Sequence, residues 1–127
     1  MNLKELMLNY LREEGFCPKE EEYGISFKCE GLNLLFFYEE EDDQYFRLMM
    51  PGIFDVTEEN FPAVLLALNK VNSEMKVVKA YTPVPDSVWV GFEVLVDSTP
   101  VLSDFVSRGI QMLRAARMKF YEAIQQG

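Results

Sequence analysis

The sequence predicts an α+β fold in the order α-β-β-β-α-β-β-α, with a five-stranded, mostly antiparallel sheet and three helices. Apolar residues recur at helical spacing near both ends and in the middle, and five short segments between them have strand character. No repeat or low-complexity linker interrupts the 127 residues. A chain of this length can close one hydrophobic core unaided, so we expect a single domain over residues 1–127.

The first half of the chain is predicted to form one helix and three strands in meander order. The helix carries apolar residues from Leu3 to Leu11, and Gly15 follows where a helix ends. Alternation over residues 23–29 predicts the first strand, and an apolar run over 34–38 predicts a strand covered on both faces. The third strand is expected over residues 45–50, because a Pro-Gly pair follows it.

The second half is predicted to form a helix, two strands and a long closing helix. Asn60 is the expected N-cap of the middle helix, with Pro62 in its first turn. Strands are expected over residues 76–82 and 88–96, and the closing helix follows Pro100. The predicted buried stripe of the middle helix consists of Val64, Leu65, Leu68, Val71 and Met75.

The charge of the chain limits its partners. Its net charge is −9, and the first 60 residues contain 15 acidic and 5 basic residues. Nucleic acids and anionic membranes are bound through clustered Lys and Arg, so we expect neither as a partner. No apolar run reaches the 18 residues of a membrane helix, and we expect a cytoplasmic location.

The residue inventory favours a protein without enzymatic activity. The chain has no histidine, no glycine-rich phosphate loop and no nucleophile elbow. Cys17 and Cys29 are interpreted as structural, and the acidic run 39–43 as a solvated hairpin tip, so we expect no metal, cofactor or catalytic residue. The alternative is an enzyme or small-ligand-binding protein that uses carboxylates such as Glu93 and Asp97 in a cleft.

The second face of the sheet is the main functional signal. If the strand residues of one parity pack under helices, the other parity exposes more apolar surface than water normally tolerates. Either a helix covers this face, or it is a dimer interface or a groove for a partner segment. The residues of that parity are Leu35, Phe37, Tyr45, Met49, Val77, Tyr81, Trp89 and Leu95.

The segment Leu-Ala-Leu-Asn-Lys-Val-Asn at 66–72, followed by two strands and a long amphipathic helix, resembles the YbjN family of bacterial sensory-transduction regulators. The resemblance covers nearly the whole chain and implies a fold shared with type III secretion chaperones. It implies a small, acidic, non-enzymatic protein that tends to dimerise and that binds another polypeptide or regulates through contact. Asn69 and Asn72 of the segment can equally be polar residues that close a helix.

The preferred hypothesis is a chaperone-like protein-binding or regulatory module that acts as a homodimer through apolar sheet or helix surfaces. A third possibility is a structural subunit of a larger assembly. The candidate contact residues are Phe37, Tyr81, Trp89 and Leu95.

Overall fold

A computed structural model describes residues 2–126 of the chain. These residues form three α-helices, one 3-10 turn and six strands. The helices are α1 (Leu3–Glu13), α2 (Phe61–Glu74) and α3 (Val106–Gln126), and the 3-10 turn Leu102–Asp104 precedes α3. The strands are β1 (Lys19–Glu21), β2 (Gly24–Cys29), β3 (Leu32–Phe37), β4 (Tyr45–Asp55), β5 (Val78–Val84) and β6 (Ser87–Leu95).

The six strands form one antiparallel sheet in the order β1-β2-β3-β4-β6-β5. The predicted α+β class and order of elements are confirmed, but the predicted count of five strands is wrong. The additional strand is β1, which pairs Lys19 with Ser26 and Glu21 with Gly24. Its three residues, Lys-Glu-Glu, show no apolar alternation, so periodicity could not identify it.

Strand β4 is longer than predicted, because it continues through Pro51 and Gly52 to Asp55. Its pairing with β3 ends at Met49, so Pro51 lies beyond the last residue of β4 that pairs with β3. Proline is tolerated where a strand is an edge or has a bulge. The register with β6 shifts between Met50 and Phe54, so both conditions hold at this position.

All three helices pack against one face of the sheet, where the buried residues form the core. Phe46 of β4 contacts the rings of Phe36 and Phe92, at centroid distances of 5.1 and 6.2 Å, and Phe105 before α3 at 5.1 Å. Gly109 lets α3 approach closely, since a β-carbon there would lie 3.0 Å from the Phe92 ring. The sheet therefore has one helix-covered face and one face without a helix.

The middle helix begins where predicted, but its buried stripe differs. Asn60 is the N-cap and a proline occupies the first turn of α2, although the Asn60 side chain bonds to Asp55 and Thr57 instead of capping. Ala67 takes part in the buried stripe, while Leu65 is 48% exposed. The predicted buried stripe wrongly included Leu65, because a helix at the border of a sheet buries only a narrow face.

The connection from α2 to β5 corrects the predicted start of the strand, since β5 begins at Val78 and not at Lys76. Val77 lies before β5 in a turn in which the Val78 N–H donates to the Lys76 carbonyl at 2.8 Å. Its φ of 70° is rare for a β-branched residue. Val77 therefore does not belong to the second sheet face.

The acidic segment between β3 and β4 is exposed, as predicted, but one of its residues has a structural role. The Asp43 carboxylate accepts hydrogen bonds from the Leu3 N–H and the Tyr38 hydroxyl, both at 2.8 Å. The bond from Leu3 and then that from Tyr38 lower the pKa of Asp43. Desolvation, followed by the hydrogen bond to Asp43, raises the pKa of Tyr38 to about 12. Asp43 thus fixes the start of α1 to the sheet.

Candidate protein-binding face

The four candidate contact residues lie on the same face of the sheet, opposite the helices. Phe37 pairs with Arg47 and Arg47 with Glu93, while Trp89 pairs with Tyr81. Side chains alternate along a strand, so Leu95 shares the face of Glu93. We call this helix-free surface the open face.

The open face is separate from the hydrophobic core. Its aromatic residues belong neither to the core cluster nor to the partly buried residues that pack against that cluster. Phe37, Tyr81 and Trp89 are half-buried by their neighbours on the sheet, whereas Leu95 is 81% exposed. The sequence left open whether a helix covers this face, and no helix of residues 2–126 does so.

Met49 is the one fully buried side chain among the residues predicted for this face. It lies over Gly91, its direct partner on β6, and a β-carbon on residue 91 would be 2.6 Å from Met49 Sδ. The missing side chain of Gly91 thus creates the space that Met49 fills. The centre of the open face is packed in its own right, although no helix lies above it.

A charged cluster occupies the open face between the aromatic residues. Lys79 Nζ lies 2.7 Å from Glu93, and Arg47 Nε lies 3.8 Å from the other oxygen of the same carboxylate. The Tyr45 hydroxyl donates to Glu93, and Arg47 donates to the Tyr81 hydroxyl at 2.9 Å. These five side chains come from β4, β5 and β6, so their cluster links three strands.

Cation–π contacts connect this cluster to the aromatic residues. The Arg47 guanidinium lies 4.8 Å from the centroid of the Phe37 ring, and Lys79 Nζ lies 4.9 Å from that of Tyr81. Burial raises the pKa of Glu93 above that of an exposed glutamate, while the two neighbouring cations favour its ionised form. The charges in the middle of the open face are therefore paired with each other.

Sequence reasoning missed this charged cluster. The alternation of β6 places Glu93 opposite the core and so predicts a solvent-facing side chain, but this side chain is only 19% exposed. Arg47 and Lys79 also lie at strand positions that alternate with core residues, and this alternation was the signal in the sequence. Only the register of β4, β5 and β6 brings the three residues together, and the register depends on the order of strands in the sheet.

The carboxylate alternative requires a cleft with inward-pointing acids, and one cleft of the described residues has several acids in its lining. A cleft of about 420 Å³ between α1 and the β1–β2 turn is lined by four glutamates. These glutamates are Glu5, Glu20, Glu22 and Glu40, and all four are exposed. Carboxylates that act as a general acid or base normally lie in a buried site, and these four do not.

The cysteines occupy different environments. Cys29 packs partly buried against the core, as expected for a small apolar residue, whereas Cys17 is exposed and does not take part in the core. Both are free thiols. Residues 2–126 contain no group of three or more His, Cys, Asp or Glu side chains placed to hold a metal ion. No helix within the same residues is long and apolar enough to cross a membrane.

The fold defines the class of this protein as an α+β domain with three helices on one face of an antiparallel sheet. A known structure has this fold: "Crystal structure of YbjN, a putative transcription regulator from E. coli" aligns with a TM-score of 0.72. The alignment covers 96% of this chain and 91% of that chain, with 13% sequence identity. No family model and no curated protein sequence matches the chain. The likeness confirms the predicted YbjN-like fold.

Proposed function

We propose that this chain is a non-enzymatic protein-binding or regulatory module of chaperone-like fold that forms a homodimer through its open face. The observation that carries the proposal is an aromatic sheet face that no helix of residues 2–126 covers. Tyr, Trp and Arg are the residues that most often dominate protein interfaces. Tyr81, Trp89 and Arg47 are all on this face.

The size of the open face is compatible with a dimer interface. Six strands spaced about 4.8 Å apart, with a mean length of about 20 Å, give a flat area of roughly 500 Å². A standard interface buries about 800 Å² of accessible surface per partner, and side-chain relief adds to the flat area.

The charges of the open face are partly compensated within the chain. Removing an unpaired charge from water is costly, but Glu93 already has Lys79 and Arg47 beside it. Arg47 and Lys79 share this one carboxylate, so the cluster keeps a net charge of +1 in each copy, and the partner surface has to leave that charge near water or place an acidic group beside it. Phe37, Tyr81, Trp89 and Leu95 are the proposed contact residues.

We also propose where this module acts and what it binds. The module is a single domain over residues 1–127 that acts in the cytoplasm of a bacterium and binds another polypeptide. Its net charge of −9 argues against nucleic acid and anionic membranes as partners. The YbjN-like fold supports a regulatory role by analogy of fold.

Light scattering after size exclusion tests the homodimer, with a matched pair of variants. We expect wild type to elute with about twice the chain mass of 14.7 kDa. Leu95→Asp should yield monomers, whereas Leu66→Asp, on α2 and 71% exposed, should not. A monomeric wild type at all concentrations would overturn the homodimer, and dissociation by Leu66→Asp alone would assign the interface to α2.

Trp89 provides a second measurement, since it is the only tryptophan of the chain. Dimer formation through the open face removes it from water, so its fluorescence emission should shift to longer wavelength on dilution. An emission maximum that does not change while the dimer dissociates would place the interface elsewhere.

A further inference from the structure

Strand β5 is an outer strand of the sheet, and it is long enough to pair with another chain. It has seven residues, whereas β1 at the opposite edge has three. Outer strands present unpaired N–H and C=O groups and are sites of edge-to-edge association. Whether the outward N–H and C=O groups of β5 are bonded within the chain therefore decides whether β5 can pair with another chain.

The Asn72 side chain occupies the outward backbone groups of β5 at Ala80. The Ala80 N–H donates to Asn72 Oδ1 at 2.7 Å, and Asn72 Nδ2 donates to the Ala80 carbonyl at 2.9 Å. The Asn side-chain amide presents an N–H donor and a C=O acceptor side by side, as the backbone of a neighbouring strand does. Asn72 thus takes the place of one residue of a neighbouring strand.

The next outward N–H toward the start of β5 is also occupied from within the chain. Backbone groups on one side of a strand belong to alternate residues, so Val78 and Ala80 point to the same side. The Val78 N–H donates to the Lys76 carbonyl in the turn at Val77. The first half of the β5 edge is therefore closed by α2 and by the turn that follows it.

We propose that Asn72 guards the β5 edge and prevents β5 from pairing with β5 of a second copy. Antiparallel pairing centred on Ala80 would place Lys79 opposite Tyr81 of the second copy, on both sides of the symmetry axis. Lys79 already contacts the Tyr81 ring of its own chain, so this pairing is chemically favourable. Like charges would not meet, and the amide of Asn72 is the obstacle to this contact.

Asn72→Ala tests the proposal, with Asn69→Ala as the matched control. Asn69 is an exposed residue of the same helix, one turn before Asn72. At equal concentration, Asn72→Ala should have at least twice the weight-average mass of wild type by analytical ultracentrifugation, and Asn69→Ala should match wild type. Adding Ala80→Pro removes the outward N–H and should return the mass to the wild-type value.

Two results would overturn the proposal. The first is Asn72→Ala with a wild-type circular dichroism spectrum and the mass of wild type at every concentration. The second comes from wild type alone and does not depend on a variant that folds. The Ala80 amide should exchange at least tenfold more slowly than an unstructured amide, and free exchange would show that Asn72 does not close the edge.

Discussion

Asp43→Ala should destabilise the protein by detaching the start of α1 from the sheet. The substitution removes the acceptor for the Leu3 N–H and for the Tyr38 hydroxyl. It also removes a negative charge from the N-terminus of a helix, where it is favourable. Because Asp43 is exposed, each contribution lies at the low end of its range, and together they amount to about 1–2 kcal/mol.

The midpoint of thermal unfolding should fall by roughly 3–8 °C for a chain of this size. Differential scanning calorimetry measures the shift at pH 7, with Glu41→Ala as the control. Glu41 is exposed in the same acidic segment, and it should leave the midpoint within about 1 °C of wild type.

The pH dependence of the difference in thermal midpoint between wild type and Asp43→Ala provides a stricter test. The pKa of Asp43 is lowered in the folded state, so its stabilisation is present above the ordinary value of 3.8. It is lost as the pH falls through the lowered pKa, where wild type and Asp43→Ala should converge. Equal midpoints for the Asp43 and Glu41 variants at pH 7, or a difference that persists after full protonation, would refute the reasoning.

Two further substitutions test packing on either side of the sheet. Gly91→Ala should cost about 1–3 kcal/mol in urea unfolding because the added carbon meets Met49 on the open face, and a loss below 0.5 kcal/mol would show that Met49 moves freely. Tyr121→Phe should cost about 1 kcal/mol because the hydroxyl donates to the Ile53 carbonyl at 2.6 Å, and an unchanged urea midpoint would make that bond dispensable.

The sequence contained the order of helices and strands because period and terminators are local signals. Leu3, Met7 and Leu11 mark α1 directly, and the alternation from Val88 to Val94 marks β6. Strand β1 was not predicted, because its three charged residues show no alternation of apolar and polar positions. Leu65 was misplaced because helical period alone does not show how wide a stripe the sheet buries.

Part of the open face could also be predicted, because the alternation of side chains along a strand is a local signal. Parity along each strand placed Phe37, Trp89 and Leu95 on a common side. The pairing of Glu93 with Lys79 and the clasp of Asn72 on Ala80 depend on which strands are neighbours. That order is a property of the whole chain, since β6 pairs with β4 and leaves β5 outside.

The position of β6 between β4 and β5 also has a consequence for how the chain folds. The pairs that join β4 to β6 range from Asp55 with Ser87 to Tyr45 with Leu95, so the centre of the sheet is closed by contacts distant in sequence. Closing such a loop costs entropy before the pairing compensates for it. The centre of the sheet can therefore close only when the hairpin of β5 and β6 docks on β4, and a growing chain cannot complete its sheet until residue 95 has been synthesised.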